Sequence, residues 1–457
     1  MHVAVVDLGK THSKLALVDT ESATEIAVFR EPNISNTDTT YPSLDRDAIR
    51  HFLLDALRKL ATDFAIDAIT VTTHGATVAL LDDTGDLALP VLDYEFDGVD
   101  ARAHDYAKLR PPFDDTGSPP LPAGLNVGAQ LHWLKEEFPQ HFASARTLLT
   151  WPQYWVFELT GELHNDLTSL GCHTDLYEPL RQRYSALVDT LQLRHLLPPT
   201  RASGQLSGTL KPAIAEQTGL PTDTPVYVGI HDSNASLVPH LLTHPAPFTV
   251  VSTGTWCITM AIDGTDAQLD AGRDTLLNVS TIGRAVPSAR FMGGRERDQL
   301  GVSGDTSNEV TDHLLSREKP PLLMPSVVAG TGPYPGLRSA WINTSGELDV
   351  SERNCAVSLY LALMTYECVE LVGGAGPIYV EGPFAQNTLY NAMLSTVSGR
   401  PVFRSDTQTG TSVGAAMLIS PPREALQFDE VAVESLQREQ LSRYARAWQT
   451  ALGRHAM

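Results

Sequence analysis

The spacing of apolar residues near the start of the chain predicts two strands joined by a tight turn. Apolar runs occupy residues 3–6 and 15–18, and a polar, glycine-containing segment lies between them. Short apolar runs bounded by turn residues are typical of strands. Apolar residues spaced by three or four then predict a helix over residues 49–64. Because strands and helices alternate in this way, the pattern indicates an α/β fold.

The pattern continues along the chain and predicts a second domain. A chain of 457 residues is longer than one hydrophobic core usually serves. We place the boundary at residue 240, which gives domains 1–240 and 241–457. The further predicted elements are strands at 68–71, 77–81, 225–230, 248–251 and 377–380, a largely helical stretch at 125–196, helices at 356–372, 387–397 and 410–416, and an irregular loop at 319–336.

The composition excludes several classes of partner. The chain carries 54 acidic and 33 basic side chains, a formal net charge of −21. Nucleic acids and anionic lipids are bound mainly by Lys and Arg, so we expect neither partner. The four cysteines lack the short spacings of a zinc site. The sequence shows neither a signal peptide nor an apolar run of ~18 to 20 residues, so we expect a soluble, cytoplasmic protein.

Two turn segments, about half a chain apart, have residues suited to binding phosphate. The first contains Gly9, Lys10, Thr11 and Lys14, and the second is Thr253-Gly254-Thr255. Glycine lets backbone N–H groups approach anionic oxygens, and hydroxyls and a lysine complete such a cradle. Each segment alone is also explained as an ordinary hairpin turn. Together they favour a pair of phosphate-binding hairpins.

Two aspartates follow predicted strands, and each has two interpretations. Asp7 suits a carboxylate that organises Mg²⁺ through water, and it equally suits a residue that caps the turn. Asp232 follows the strand at 225–230, where it suits either a general base for an attacking hydroxyl or a helix N-cap. The small-residue segment 410–416 likewise suits either close approach of a nucleotide or tight packing of a helix.

Taken in this order, the segments resemble the FGGY carbohydrate kinases, a branch of the sugar kinase, Hsp70 and actin superfamily. The motifs that carry the likeness are Asp7-Leu8-Gly9-Lys10-Thr11-His12-Ser13-Lys14, Ser252-Thr253-Gly254-Thr255-Trp256 and Gly410-Thr411-Ser412-Val413-Gly414-Ala415-Ala416. The resemblance implies a two-domain actin-like (ribonuclease H-like) ATPase fold with a cleft between the domains. It further implies that the N-terminal domain binds sugar and that the C-terminal domain completes the ATP site.

The resemblance also implies cofactors and residue roles. ATP and Mg²⁺ are the expected cofactors, with Asp232 as general base and metal ligand and with Asp7 linked to the metal through water. Further nucleotide contacts are expected, beyond the two turn segments, from Gly382, Gln386, Gly410, Thr411 and Gly414. The Glu381-Gly382-Pro383 segment departs from the Gly-Gly-Gly loop of many relatives, and an acidic side chain that faced the phosphates would alter nucleotide binding.

The sugar site is expected at loops of the N-terminal domain. The candidates are Thr73, His74, Gly75, Asp93, Glu95, His231 and Asp232, with Asn126, Gln130 and His173 as weaker ones. Asp93 and Glu95 alternate along a segment that resembles a strand, so their side chains should face the same side. His74 alone is also explained as a structural residue.

The implied function is ATP-dependent phosphorylation of a keto-sugar hydroxyl. The segment His231-Asp232-Ser233 is most similar to the rhamnulose and fuculose kinases, which implies L-rhamnulose or L-fuculose as substrate, with xylulose and ribulose as alternatives. An oxidoreductase is excluded, because no Gly-x-Gly-x-x-Gly turn follows a predicted strand. A non-catalytic, ATP-gated sugar sensor or scaffold is an alternative, although such a protein would tend to lose Asp232. A homodimer is left open.

Overall fold

The structure is a computed structural model, and it describes residues 1–267, 269–302, 307–344, 346, 348–404, 410–422 and 428–455. In residues 1–243 the strands are β1 (His2–Leu8), β2 (His12–Asp19), β3 (Thr24–Pro32), β4 (Ser35–Asn36), β5 (Ser43–Leu44), β6 (Ala68–Thr73), β7 (Val78–Leu81), β8 (Thr147–Thr150), β9 (Tyr177–Glu178), β10 (Arg183–Tyr184), β11 (Leu206–Thr209), β12 (Pro225–Tyr227) and β13 (Ile230–His231). The helices there are α1 (Arg46–Asp63), α2 (Ala103–Leu109), α3 (Phe113–Thr116), α4 (Val127–Glu137), α5 (Pro139–Ser144), α6 (Trp151–Thr160), α7 (Leu167–Leu170), α8 (Ala186–Thr190), α9 (Pro212–Thr218) and α10 (Asp232–Thr243).

The later residues repeat the alternation of strands and helices. The strands are β14 (Phe248–Thr253), β15 (Cys257–Ile262), β16 (Thr275–Val279), β17 (Ala285–Phe291), β18 (Leu322–Met324), β19 (Ala340–Ile342), β20 (Ile378–Glu381), β21 (Val402–Arg404) and β22 (Asp429–Glu430). The helices are α11 (Gly293–Gln299), α12 (Asn308–Ser316), α13 (Val350–Leu371), α14 (Thr388–Ser398), α15 (Thr411–Met417) and α16 (Ser435–His455), and short 3₁₀ helices lie at Asp97–Arg102, Arg194–Leu196, Ala271–Arg273 and Pro383–Gln386.

The chain divides into two compact units. Unit 1 comprises Met1–Thr243, Leu277–Ala285 and the described part of 409–425, and unit 2 comprises the remainder. Helix α15 therefore packs within unit 1 although it comes late in the chain. The sequence prediction of a single boundary at residue 240 did not include the return of these later segments. Among the described residues, no helix combines the length and the apolar character needed to cross a membrane.

Unit 1 is built on a mixed sheet in the order β11-β12-β6-β1-β2-β3, with β13 also paired to β6. Strand β1 runs antiparallel to β2 and parallel to β6, and β13 runs parallel to β6. Leu8 and His231 both lie opposite Thr73 in the register. Because the carboxyl ends of parallel strands share one edge of a sheet, the segments after β1, β6 and β13 meet at that edge.

Helix α1 covers part of this sheet because its apolar residues recur on one face. Its N-cap Asp45 accepts a hydrogen bond from the Ala48 N–H, and residues such as Phe52 and Leu57 are buried against the core. This core also contains side chains of β1, β2, β6 and α6. Helices α10 and α15 pack on each other, and α15 also contacts β1. The sheet edge is thus held by a rigid core.

Unit 2 is built on a sheet in the order β16-β17-β15-β14-β20-β21-β22. Strand β14 runs antiparallel to β15 and parallel to β20, as β1 does with β2 and β6 in unit 1. Helix α13 is buried along most of its 22 residues and lies at the centre of the core of this unit. Each unit therefore contains a strand hairpin whose first strand has a parallel neighbour.

Most sequence-predicted elements are confirmed within one to six residues at each end. Other features of the prediction were wrong or incomplete, and strands β15 to β17 and helices α11, α12 and α16 were not predicted. Strand β3 was not predicted, and its alternating exposure explains the weak apolar signal. The loop predicted at 319–336 contains β18, and the helical stretch predicted at 125–196 contains β8, which pairs with β7.

Candidate active site

Asp7, at the end of β1, is held in place by three donors. Lys14 Nζ lies 3.2 Å from Asp7 Oδ2, and the hydroxyls of Thr411 and Ser412 donate to the same oxygen over 2.5 and 2.8 Å. Lys14 also pairs with Glu25 at 2.8 Å. Among the described residues, Oδ1 of Asp7 has no such contact. The carboxylate is therefore fixed while one oxygen is left for another ligand.

Lys10 in the first turn contacts two carboxylates of the predicted sugar site. Its Nζ lies 2.5 Å from Asp93 Oδ2 and 3.5 Å from Glu95 Oε2. Burial raises the pKa of Asp93, but hydrogen bonds from Lys10 and Ser35 outweigh it, so the pKa lies below its usual value. Lys10 had been predicted to bind phosphate, and here its charge is shared with two acidic side chains.

The predicted side-by-side placement of Asp93 and Glu95 is observed, but the predicted strand is wrong. The two residues lie in a turn in which Asp93 Oδ1 accepts the Glu95 N–H and Asp93 O accepts the Phe96 N–H. An Asp that bonds the backbone two residues on is typical of such turns. Asp93 is 4% exposed, whereas the Glu95 side chain is 67% exposed, so Glu95 is the accessible carboxylate.

Asp232 is the first residue of α10, directly after β13. Its Oδ1 accepts the Ser233 N–H over 2.6 Å and lies 3.2 Å from His231 Nε2. Among the described residues Oδ2 has no partner, and the side chain is 31% exposed. One carboxylate oxygen is therefore held by the neighbouring Ser233 and His231, and the other is accessible.

His231 is buried beneath Asp232, and this position was not anticipated. Asn234 Nδ2 lies 3.2 Å from His231 Nδ1, and the Cys172 thiol lies beside the same imidazole. Burial lowers the pKa of His231, but Cys172 and Asp232 outweigh it and raise the pKa above its usual value. Cys172 is 1% exposed, and no local motif in the sequence marks it. His173, a weaker candidate, adjoins this cluster.

The segment after β6 places His74 and Gly75 beside these groups. His74 Nδ1 lies 2.9 Å from Gly75 O, and its ring meets the Tyr94 ring edge-on at 5.2 Å. A Cβ on Gly75 would lie 2.7 Å from His231 Nε2, so glycine makes room for His231. Burial lowers the pKa of His74. Tyr94, which lies between Asp93 and Glu95, was not among the candidates of the sequence analysis.

Other candidates in unit 1 have side chains occupied by the backbone. The Thr73 hydroxyl is buried and donates to His74 O. Asn126 accepts the Leu121 N–H and donates to Pro119 O, and Gln130 donates to Ala76 O. A cavity of about 220 Å³ lies beside the first turn, and the residues that bring polar groups to it include Gly9, Lys10, Ser13, Glu31, Asn33, Ser35, Asp45 and His74.

In α15, Gly414 is explained by packing. A Cβ on Gly414 would lie 1.8 Å from Ala235 O of α10, so tight helix packing requires glycine at this position. Gly410 precedes the helix as its N-cap, and the Thr411 hydroxyl contacts Asp7. Thr411 therefore contacts Asp7 of the first turn directly.

The second turn segment in unit 2 is neutral. The Thr253 hydroxyl donates to Glu381 O over 2.5 Å and accepts the Phe384 N–H over 3.0 Å. Gly254 and Thr255 are exposed. A Cβ on Gly382 would lie 1.9 Å from Thr253 O, and Gly382 has a φ of +78°, so the loop after β20 requires glycine there. Glu381 is 5% exposed and does not extend into solvent.

A cavity of about 190 Å³ lies beside this loop in unit 2. Its lining includes Gln386, Phe384, Ser358 and Arg297, and the Arg297 guanidinium lies 5.4 Å from the centre of the Phe384 ring. Gln386 had been predicted to contact the nucleotide. An aromatic ring and several polar side chains around a small cavity suit a planar, polar ligand.

Two family models together match most of the chain. Residues 2–239 match the N-terminal domain of the FGGY family of carbohydrate kinases, and residues 245–427 match the C-terminal domain of carbohydrate kinase FGGY. A carbohydrate kinase from Novosphingobium aromaticivorans of known structure is 36% identical, with 100% of this chain and 99% of that chain covered at a TM-score of 0.90. A ligand-bound xylulose kinase from Lactobacillus acidophilus shares the fold at 15% identity, 98% and 96% coverage and a TM-score of 0.78.

Curated relatives match over a shorter stretch. The L-fuculokinase of Escherichia coli (strain K12) is 28% identical over 272 residues, which is 56% of this chain and 56% of the relative. This chain thus spans little more than half the length of the first curated relatives it matches. The two-domain fold predicted from the sequence is confirmed by the solved structures. The chain belongs to the FGGY family of carbohydrate kinases.

Proposed function

We propose that the protein is an ATP-dependent kinase that phosphorylates a hydroxyl of a keto-sugar. The observation that carries this proposal is the state of Asp232, whose Oδ1 is held by Ser233 and His231 while Oδ2 is accessible. A general base needs a fixed orientation and an oxygen within reach of the proton it accepts. Asp232 meets both requirements at the carboxyl edge of the sheet.

In the proposed reaction, Asp232 Oδ2 accepts the proton of the sugar hydroxyl as the hydroxyl oxygen attacks the γ-phosphorus of ATP. The bond from the γ-phosphorus to its bridging oxygen breaks, and ADP leaves with the bonding electrons. Asp232 later releases the proton to solvent. Positioning and neutralisation of charge provide most of the rate in phosphoryl transfer, which gives the surrounding side chains their roles.

The residues present fit magnesium as a cofactor. Within the described part of the chain, no group of three or more His, Cys, Asp or Glu side chains is arranged to hold a metal ion. Magnesium bound with ATP keeps several waters and needs only one or two carboxylates. Asp7 offers Oδ1 for this purpose, because its three donors contact Oδ2, and Asp232 is the second candidate ligand. When bound, Mg²⁺ would neutralise charge on the phosphates.

We assign sugar binding to residues 1–240 and nucleotide binding to residues 241–457. The cavity beside Gln386 and Phe384 would take the base, and the turns at Gly9 and Gly254 would receive phosphate oxygens. Glu95, His74 and Tyr94 would contact the sugar. Glu95 has an accessible carboxylate, and the rings of His74 and Tyr94 lie near Asp232. Gly410, Thr411 and Gly414 would support the nucleotide site through Asp7.

The proposed substrate is a deoxy-ketohexose such as L-fuculose or L-rhamnulose. Support comes from the resemblance of His231-Asp232-Ser233 to the rhamnulose and fuculose kinases and from the match to an L-fuculokinase. Xylulose and ribulose are the alternatives.

The test is a coupled ADP-release assay of the purified chain with Mg-ATP and a panel of keto-sugars. We expect sugar-dependent ADP release by the wild type and a loss of about 10²-fold or more in D232N, since general bases contribute this much. D223N is the matched control, because Asp223 is exposed in the same unit, and it should retain activity. ATP binding without turnover on any sugar would contradict the kinase and favour a sugar sensor.

A further inference from the structure

A short helix, α11, packs on the second turn. It carries positively charged side chains, which the turn itself lacks. Residues 253–257 contain no charged side chain, whereas the first turn has Lys10 and Lys14. Nucleotide phosphates carry several negative charges, and their binding sites usually include a cation. At the second turn, such a cation would come from a side chain elsewhere in unit 2.

The backbone of helix α11 lies so close to the second turn that position 294 has no room for a side chain. A Cβ on Gly294 would lie 2.0 Å from Gly254 O and 3.1 Å from Thr255 Cα. The next residue, Arg295, donates its backbone N–H to Thr255 O over 3.4 Å. Glycine at position 294 therefore lets the backbone of Arg295 lie directly against the turn.

Helix α11 is anchored on its other side. Glu296 is buried and accepts hydrogen bonds from the Val327 N–H, the Val328 N–H and the Tyr360 hydroxyl. Burial raises the pKa of Glu296 to about 6. These three bonds fix the helix turn that carries Arg295, so the arginine backbone has a defined position beside Gly254.

The Arg295 side chain is available for a ligand. It is exposed, and among the described residues it has no hydrogen bond or ion pair. The neighbouring arginines are engaged, because Arg290 pairs with Asp274 at 3.0 Å and Arg297 lies over Phe384 in the cavity lining. Helix α11 thus places Arg295 beside the second turn and Arg297 in the lining of the cavity that we propose for the nucleotide base.

We propose that Arg295 binds the phosphate groups of the nucleotide and supplies the cation that the second turn lacks. The inference rests on the proposed function, since it takes a nucleoside di- or triphosphate as the ligand of unit 2. Its exposed guanidinium can present two parallel N–H groups to phosphate oxygens. Arg295 would therefore act on the phosphates and not on the base.

The test is calorimetric binding of ADP, ATP and adenosine to the full chain, without sugar. R295Q should weaken ADP and ATP binding by about tenfold, as expected for a charge-assisted hydrogen bond, and should leave adenosine binding unchanged. R295K should lose less, because it keeps the charge but not the fork. R438Q is the matched control, since Arg438 is an exposed arginine of unit 2 on α16, and it should bind like the wild type.

The outcomes separate this inference from the proposed function. Unchanged ADP affinity in R295Q, an equal loss in R438Q, or an equal loss of adenosine binding would each overturn the role of Arg295 alone. A wild-type protein that binds neither ADP nor ATP would overturn the proposed function, and this inference with it. Selective loss of ADP and ATP binding in R295Q would support the inference whatever the sugar substrate proves to be.

Discussion

The two turns that follow β1 and β14 share a backbone arrangement and differ in their chemistry. In both, an antiparallel hairpin lies beside a parallel strand. The first turn adjoins a carboxylate and two lysines, all engaged in ion pairs. The second turn has only hydroxyls and glycine, and the Thr253 hydroxyl is occupied by backbone groups of the neighbouring loop.

From this difference we assign different roles to two copies of one supersecondary arrangement. The charged side chains of the first turn belong to the turn and to its own strands. The donors around Asp7 hold one of its two carboxylate oxygens. The second turn offers open backbone and an exposed Thr255, and the exposed Arg295 belongs to the separate helix α11, whose backbone lies against the turn. We infer that both turns receive phosphate oxygens and that only the first also organises the metal, and the following experiments test that division.

The largest expected effect is that of removing the carboxylate of the first turn. D7N should lower kcat by about 10²- to 10³-fold, the range for loss of a preorganised charged group. Ser252 stands two residues before Gly254, as Asp7 stands before Gly9, so S252A is the matched control and should stay within about threefold of wild type. Steady-state kinetics at several Mg²⁺ concentrations measure both, and equal losses would contradict the division of roles.

A second, smaller effect concerns glycine in and beside the second turn. G382A should destabilise the protein by about 3 kcal/mol, because φ is +78° and the Cβ would contact Thr253 O. G9A and G254A should change the free energy of unfolding by less than about 0.5 kcal/mol, since their Cβ atoms would lie 3.5 and 3.9 Å from the nearest atoms. Urea denaturation provides the values.

The two turn glycines then give a functional readout. If phosphate oxygens approach the backbone at Gly9 and Gly254, G9A and G254A should raise the KM for ATP while folding normally. A normal KM in both variants would show that phosphate does not approach these turns.

The hydroxyls of the two turns should contribute unequally to stability. T253V removes a hydroxyl that donates to Glu381 O and accepts the Phe384 N–H, so we expect a loss of about 2 kcal/mol. Thr11 is exposed, and within the described part of the chain its hydroxyl contacts the neighbouring His12 alone, so T11V should lose less than about 0.5 kcal/mol. Thermal and urea unfolding of the two variants compare them, and equal losses would contradict the structural role of Thr253.

The smallest expected effect is a pH dependence specific to the first turn. The pKa of Asp93 is lowered below 3.8, its ordinary value, despite burial, because Lys10 and Ser35 hydrogen-bond to the carboxylate. Its contribution to stability is therefore present above pH 3.8 and is lost as the pH falls through the lower folded-state pKa. The stability difference between wild type and D93N should be largest at pH 7 and should shrink toward pH 3. A difference independent of pH would rule out this origin.

Several parts of the site were predictable from local patterns. Apolar runs at 3–6, 68–71 and 225–230 predicted strands that Asp7, Thr73 and His231 closely follow, and short-range spacing predicted both turns and helix α15. These features depend on neighbouring residues, whose alternation or helical spacing determines which side chains face the core. Asp93 and Glu95 show the limit of such local prediction. Both side chains face the same group, the Lys10 ammonium, but the two residues lie in a turn and not in a strand.

The sequence by itself indicated the family and the strands and turns around Asp7 and Asp232. Only the tertiary structure decided which groups meet: Lys10 with Asp93, 83 residues apart, and Asp7 with Thr411, 404 residues apart. It also placed Cys172 beside His231 and the backbone of Arg295 beside Thr255. Such contacts depend on how whole strands and helices pack. The local spacing of residues does not determine which distant segments packing brings together.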